Sequence, residues 1–285
     1  MSYKIVIHAG KAHMDELLAA SLLRLHKKEA PAEVERVFSD DAAQRVRDGI
    51  TGPDIYYLDC GLGFDPEKNL FDHHQDRELD SAACLVWDTF FSDKKNTDLD
   101  DYIRLISRVD NKGPKSLNDF ELIDESRLYF TTGQKLLLKA FEADPAGIIE
   151  HYAAALEDNL AFEEQKALAR EWIEEESNVS IRMIHGCMAL SFNKRPPEDL
   201  IIPIRAVDDE IVDKHKVEVI YSFDDRDEEV RTLFRTFHGH EKLDFTRSHP
   251  TNLKFCHQSG FLMKIVPDRE DEWVSLIKES LGEEE

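Results

Sequence analysis

The first sixty residues alternate short β-branched runs with stretches of helical spacing, and few folds accommodate that pattern. Lys4 to His8 reads as a buried strand, Met14 to Leu25 repeats apolar residues at helical spacing, and Val34–Phe38 and Ile55–Leu58 read as further strands. Strands joined through helices pair in parallel and are covered on both faces, so the pattern predicts an α/β domain built on a parallel sheet. Ligands in such sheets bind in the crevice outside the carboxyl ends of the strands. His8 to Asp15 falls on the first strand-to-helix junction and Asp59 directly follows the third run, so the two can converge despite their separation in the chain.

Further along, Asn69-Leu70-Phe71 leads into Asp72-His73-His74. From Ser81 to Arg108 the pattern is helical, and the Gly and Pro of Asp110-Asn111-Lys112-Gly113-Pro114 stop it, which places Asp110 just past the helix. Asp144-Pro145 supplies an N-cap and a first-turn proline, and the Ala-, Leu-, Glu- and Lys-rich stretch to about Glu176 reads as one long connecting helix. Short β-rich runs then follow at Val179–Met183, Cys187–Phe192, Val217–Phe223, Val230–Phe237 and Gly260–Val266, closed by a helix near Glu270–Leu281. The expected organisation is an α/β domain over 1–143, a connecting helix over 144–178 and a smaller α+β domain over 179–285.

Charge narrows the function classes. Fifty-nine acidic against 36 basic residues give a net charge of -23, a field that repels long duplex DNA. No apolar run approaches the length that spans a bilayer, so a membrane role is not expected. Cys60, Cys84, Cys187 and Cys256 form no paired motif and read as ordinary thiols, and the N-terminus shows no cleavable apolar segment, so a cytoplasmic location is the expectation.

The chemistry concentrates in His8-x4-His13-x-Asp15, Asp59, Asp72-His73-His74 and Asp110. Taken singly, each is most simply a turn, a cap or a hydrogen-bonded polar residue. Together they are four clusters of metal-ligand types, each at the end of an expected element. Imidazole and carboxylate ligands suit manganese, zinc, cobalt or iron, and the oxygen share also admits magnesium. Two ions at close spacing need a bridging carboxylate, and Asp59 is the candidate.

These residues resemble the DHH phosphoesterase family, whose diagnostic motif is Asp72-His73-His74 here. Within it, His8-x4-His13-x-Asp15-Glu16 with Phe71-Asp72-His73-His74-Gln75 is most similar to the Myg-type branch, described as metal-dependent RNA exonucleases. The pyrophosphatase branch carries an Asp where this chain has His13. The resemblance implies a DHH-type N-terminal domain and a site for two divalent metal ions, manganese first. His8 and His13 would hold one ion, Asp15, His73 and Asp110 the other, and Asp59 both. Asp72 and His74 would serve catalysis, Asp72 by orienting an imidazole and His74 by facing the phosphoryl oxygens or the leaving group. Short RNA, an oligonucleotide or a small phosphorylated nucleotide would be the substrate, with polyphosphate or pyrophosphate hydrolysis, or a non-catalytic nucleotide-binding module, as alternatives.

Val230–Thr236 followed by Cys256–Phe261 is similar to the substrate-binding domain that often follows a DHH domain, which would make Arg231, Arg235, His257, Ser259 and Gly260 substrate contacts. The usual GGGH loop is replaced by Asn252–His257, and solvent-facing arginines and a turn histidine stand as the alternative reading. His238-Gly239-His240 reads as a hairpin turn.

Overall fold

The computed structural model of the chain describes residues 2–95, 97–113, 123–269 and 271–282, with backbone alone at 123–132, 206 and 208. It divides into two compact units, Met1–Glu163 and Glu164–Glu285. The first unit runs β1 (Lys4–His8), α1 (Met14–Lys27), β2 (Glu33–Val37), α2 (Ser39–Arg47), β3 (Ile55–Leu58), β4 (Phe64–Asp65), β5 (Leu70–Phe71), α3 (Ala82–Phe90), α4 (Asp98–Lys112), α5 (Ile123–Ala143) and the start of α6 (Pro145–Glu174).

Its sheet has the order β2-β1-β3-β5-β4, parallel except for the edge strand β4. The chain leaves β1 on one side for β2 and returns on the other for β3, so the topological switch point, where such sheets bind ligands, lies between β1 and β3. Strand alternation divides the core. Ile5, Ile7, Leu58 and Phe71 pack with Leu18 and Leu22 of α1, Trp87 of α3 and Ile103 of α4, while Val6, Val37 and Tyr57 pack with Ala42 of α2. Each fully buried leucine here contributes about 1.5–3 kcal/mol.

The helical stretch expected from Ser81 to Arg108 is two helices. Phe91–Thr97 separates them, and the Thr97 side chain accepts from the Asp100 N–H as the N-cap of α4. The two helices are then tied together: Trp87 Nε1 donates to Asp100 at 2.9 Å, and Arg104 donates to both oxygens of Asp88. As a consequence Asp110 lies inside the last turn of α4 and not past it.

The second unit continues α6 into β6 (Val179–Ile184), β7 (Cys187–Phe192), α7 (Ile201–His215), β8 (Val219–Phe223), β9 (Arg231–Arg235), β10 (Leu253–Cys256), β11 (Leu262–Ile265) and α8 (Glu272–Ser280). The strand order is β10-β11-β9-β8-β7-β6, antiparallel throughout except for the β7–β8 pair. Trp273, Leu276 and Ile277 of α8 cover one face, and α7 with the end of α6 covers the other. Asn252–His257, read from sequence as a replaced glycine loop, is built around edge strand β10. His238-Gly239-His240 is not a hairpin: Phe237–Gly239 is a 3-10 turn, because β9 pairs with β8 and β11 and so cannot fold back on the segment after it. No helix among the described residues is long and apolar enough to cross a membrane.

Candidate metal centre

The three central parallel strands deliver their carboxyl ends to one edge. His8 is the last residue of β1, Asp59 follows β3, and Asp72, His73 and His74 follow β5. The backbone at Asp59 is left-handed, with φ 57°, and Gly61 at φ 103° continues the turn. Aspartate tolerates that region better than most residues, and the turn holds its carboxylate in place, with 2% of the residue exposed. Asp15, in the first turn of α1, is tied from another direction: Ser81 Oγ and the N–H groups of Ala82 and Ala83, the latter two at 2.9 Å, donate to its carboxylate at the N-terminus of α3.

His73 joins two sets of ligand atoms. Asp59, His73 and His74 offer atoms within 4.8 Å of one another, as do Asp15, His73 and Asp110. His73 Nε2 lies 3.2 Å from Asp110 Oδ2 and 3.4 Å from Asp59 Oδ1. Neither His8 nor His13 belongs to these sets of described atoms, and their rings stack on one another at 5.9 Å. Asp72 is fully buried, accepts from Leu62 N and His74 N, and holds His74 Nδ1 at 2.7 Å.

The electrostatics follow from this crowding. Burial raises the Asp15 carboxyl, and the charges of Asp59 and Asp110 add to the rise. Burial would lower His73, but the carboxylates of Asp110, Asp59 and Asp15 outweigh it and push the imidazole up to about 10. Burial lowers His8, which favours the neutral ring that donates a lone pair. For Asp72 burial works against the charge, yet the hydrogen bonds from His74 and Leu62 keep it below the ordinary carboxylate range. His74 is raised, chiefly by its hydrogen bond to Asp72.

His8 Nδ1, Asp59 Oδ1 and His73 Nε2 are buried and have no hydrogen-bond partner, His73 and Asp59 standing within ion-pair distance but outside hydrogen-bond geometry. An unpartnered buried polar atom costs about 1–3 kcal/mol, so Asp59 and His73, whose ligand atoms share one set, and His8 at the same sheet edge call for a ligand that supplies what the protein does not. A divalent cation does so, since each atom offers a lone pair. The residues present therefore fit the metal that the motif implies.

The second unit treats its candidates differently. Arg235, His257, Ser259 and Gly260 come together: Arg235 donates to the carbonyls of Leu243 and Ser259, His257 Nδ1 accepts from Ser259 N, and Gly260 N donates to His257 O. Gly260 has φ 63°, and a Cβ there would collide with Asp244. Arg231, at the opposite end of β9, lies over the Phe223 ring and is apart from that group.

Several contributors were not read from sequence. Ser81 precedes an Ala-rich helix start, a cap signature that could have flagged it, but its bond to Asp15 is a long-range contact. Arg36 of β2 reaches across to Gly10 O and to buried Glu16, whose Oε1 also accepts the His13 N–H, so the pair braces the β1–α1 junction. Its signal was a charged side chain within a strand pattern.

No curated protein matches the chain in sequence. A family model does: MYG1_exonuc, described as an uncharacterised protein family (UPF0160), matches residues 4–95, an interval that contains His8, His13, Asp15, Asp59, Asp72, His73 and His74 and ends before Asp110.

Proposed function

We propose that the first unit is a divalent-metal-dependent phosphoester hydrolase acting on short RNA, oligonucleotides or small phosphorylated nucleotides. The observation that carries this reading is that His8 Nδ1, Asp59 Oδ1 and His73 Nε2, all buried and unpartnered, stand at the carboxyl edge of one parallel sheet, with His73 3.4 Å from Asp59. The name of the matching family points to the same reaction class. His8 and His13 would hold one ion, Asp15, His73 and Asp110 the other, and Asp59 both, with manganese preferred and magnesium, cobalt or zinc as substitutes. Bound there, the ions would supply Lewis-acid charge and water ionised near neutral pH.

The chain's own residues do the remaining work. Asp72 accepts from His74 Nδ1 and so fixes the ring, leaving Nε2 without a partner among the described residues and nearly half of the side chain exposed. The hydrogen bond to Asp72 raises His74, which favours the protonated ring as a donor to a phosphoryl oxygen or leaving group. The net charge of -23 favours short substrates over long duplexes.

The test is a panel of a chromogenic phosphodiester, short RNA, a 3′-phosphorylated nucleotide, pyrophosphate and polyphosphate, each with manganese and with chelator. Hydrolysis of the diester and short RNA that vanishes on chelation and returns with manganese is expected. Turnover of pyrophosphate or polyphosphate alone would replace the substrate class, and no turnover with any metal would end the reading.

A further inference from the structure

On the face of the second sheet that carries α8, a cleft of about 880 Å³ opens, lined by Arg182, Tyr221, Phe223, Arg231, Arg269 and Trp273 among others. That volume lies within the range of ligand sites, about 300–1,000 Å³. Its sign is what sets it apart. The chain as a whole is at -23, yet three guanidinium groups meet here against two acidic lining residues, Asp268 and Asp271, and Asp271 already stands 4.0 Å from Arg269.

Two of the guanidiniums are laid over rings. Arg182 stands over Trp273 at 5.4 Å, and Trp273 in turn stacks on Tyr221 at 4.8 Å and 7°. Arg231 stands over Phe223 at 4.0 Å. A guanidinium held over a ring is oriented by it, while its N–H donors lie in its own plane and stay available. Arg182 makes no hydrogen bond or ion pair with the described residues, and Arg231 commits only Nη1, to the carbonyls of Glu228 and Val230.

Register indicates how large the occupant must be. Arg182 on β6 is level with Ala189, Val219 and Arg235, whereas Arg231 lies at the other end of β9. Their backbones are therefore separated by three strand spacings of about 4.8 Å and four residues of about 3.3 Å each. One phosphate group is too small to engage both, while successive phosphates of one strand can. Bases stack on guanidinium planes and aromatic faces without regard to sequence. We propose that this cleft is a binding site for a short single strand of nucleic acid, its phosphates held by the in-plane donors of Arg182 and Arg231 and its bases stacked on the outer faces of those guanidiniums, which the buried Tyr221–Trp273 pair and Phe223 back. The site lies wholly in the second unit and does not rest on the metal reading.

The experiment is binding of an end-labelled five-nucleotide RNA by the full chain, followed by fluorescence anisotropy in chelator so that nothing is hydrolysed. Wild type is expected to bind, more weakly as salt rises. Arg182→Ala and Arg231→Ala should each weaken binding about tenfold or more, and Arg182→Lys should not restore it. Inorganic phosphate and a mononucleotide should compete poorly. Arg182 is exposed, so its Ala variant should keep the wild-type melting temperature and hydrolyse the chromogenic diester at the wild-type rate. No RNA binding by wild type, or equal binding by wild type, Arg182→Ala and Arg231→Ala, would overturn the proposal. Failure of the metal reading would show separately, as absent hydrolysis with RNA binding intact.

Discussion

The two units each gather residues of the kinds that make sites, and they finish them in opposite ways. In the first, Asp59 and His73 are brought together, with His8 at the same sheet edge, and all three are left with buried atoms that no protein group satisfies. In the second, Arg235, His257, Ser259 and Gly260 are brought together and close on one another through backbone carbonyls and N–H groups. Residue type and spacing are alike suggestive in both. What separates them is whether the polar atoms are already used by the fold, because a donor satisfied at home must break that bond before it can take a ligand.

The largest expected effect tests the first half of the comparison. Asp59→Ala should lower turnover of the chromogenic diester more than about a thousandfold, some 4 kcal/mol, because the proposed bridge serves both ions. The metal-free variant should melt no lower than wild type, since the change relieves repulsion with Asp15. Activity above a few per cent of wild type at saturating manganese would break the bridging role.

Next comes the brace beside that cluster. Glu16 is fully buried, burial pushes its pKa up to about 8, and Arg36 is its charged partner. Above about pH 8, where Glu16 is ionised, Arg36→Met should cost about 3–5 kcal/mol in urea unfolding, and adding Glu16→Gln should recover much of that loss. Equal losses in the single and double variants would mean that packing against Phe141, and not the ion pair, holds the junction.

For the second unit the effect should be smaller and should fall on stability. Arg235→Ala removes hydrogen bonds to Leu243 O and Ser259 O and should cost about 1–3 kcal/mol. Unchanged stability with a fall in kcat/KM on short RNA would show instead that Arg235 meets substrate, and the contrast between the units would collapse.

How far the sequence carried can be judged from single residues. The ends of β1 and β3 were legible because an apolar run stops abruptly at His8 and at Asp59, and the Asp72–His74 triplet is recognisable as a string. The break between α3 and α4 was not, because Thr97 is an ordinary cap and its flanks stay amphipathic. Helix α7 went unread although Ile204, Val207 and Ile211 repeat at helical spacing; Pro203 in its first turn reads as a breaker until the turn is seen. Long-range facts had no local trace at all. That Ser81 holds Asp15, that Arg36 reaches Glu16, and that Arg235 is already bonded to two carbonyls depend on which elements meet.

The smallest effect is electrostatic and lies on β2, away from the cluster. Hydrogen bonds from Arg45 and Lys4 hold the Glu35 carboxyl down at about 2, below its ordinary 4.5. A depressed carboxylate adds stability that is present above the unfolded value and lost as pH falls through the folded one. Glu35→Gln should therefore flatten the stability profile between about pH 4.5 and 2, by no more than about 1 kcal/mol for so partly solvated a group. An unchanged acid limb would assign that loss to other carboxylates.

The central claim is that the unpartnered atoms at the sheet edge belong to a metal centre, and calorimetric titration of the full chain with manganese measures it without reference to any substrate. Wild type should bind two ions per chain and Asp59→Ala neither, while Arg182→Ala, far along the chain in the second unit, should bind two. A wild-type chain that takes up no manganese, or an Asp59→Ala chain that binds as wild type does, would contradict the account.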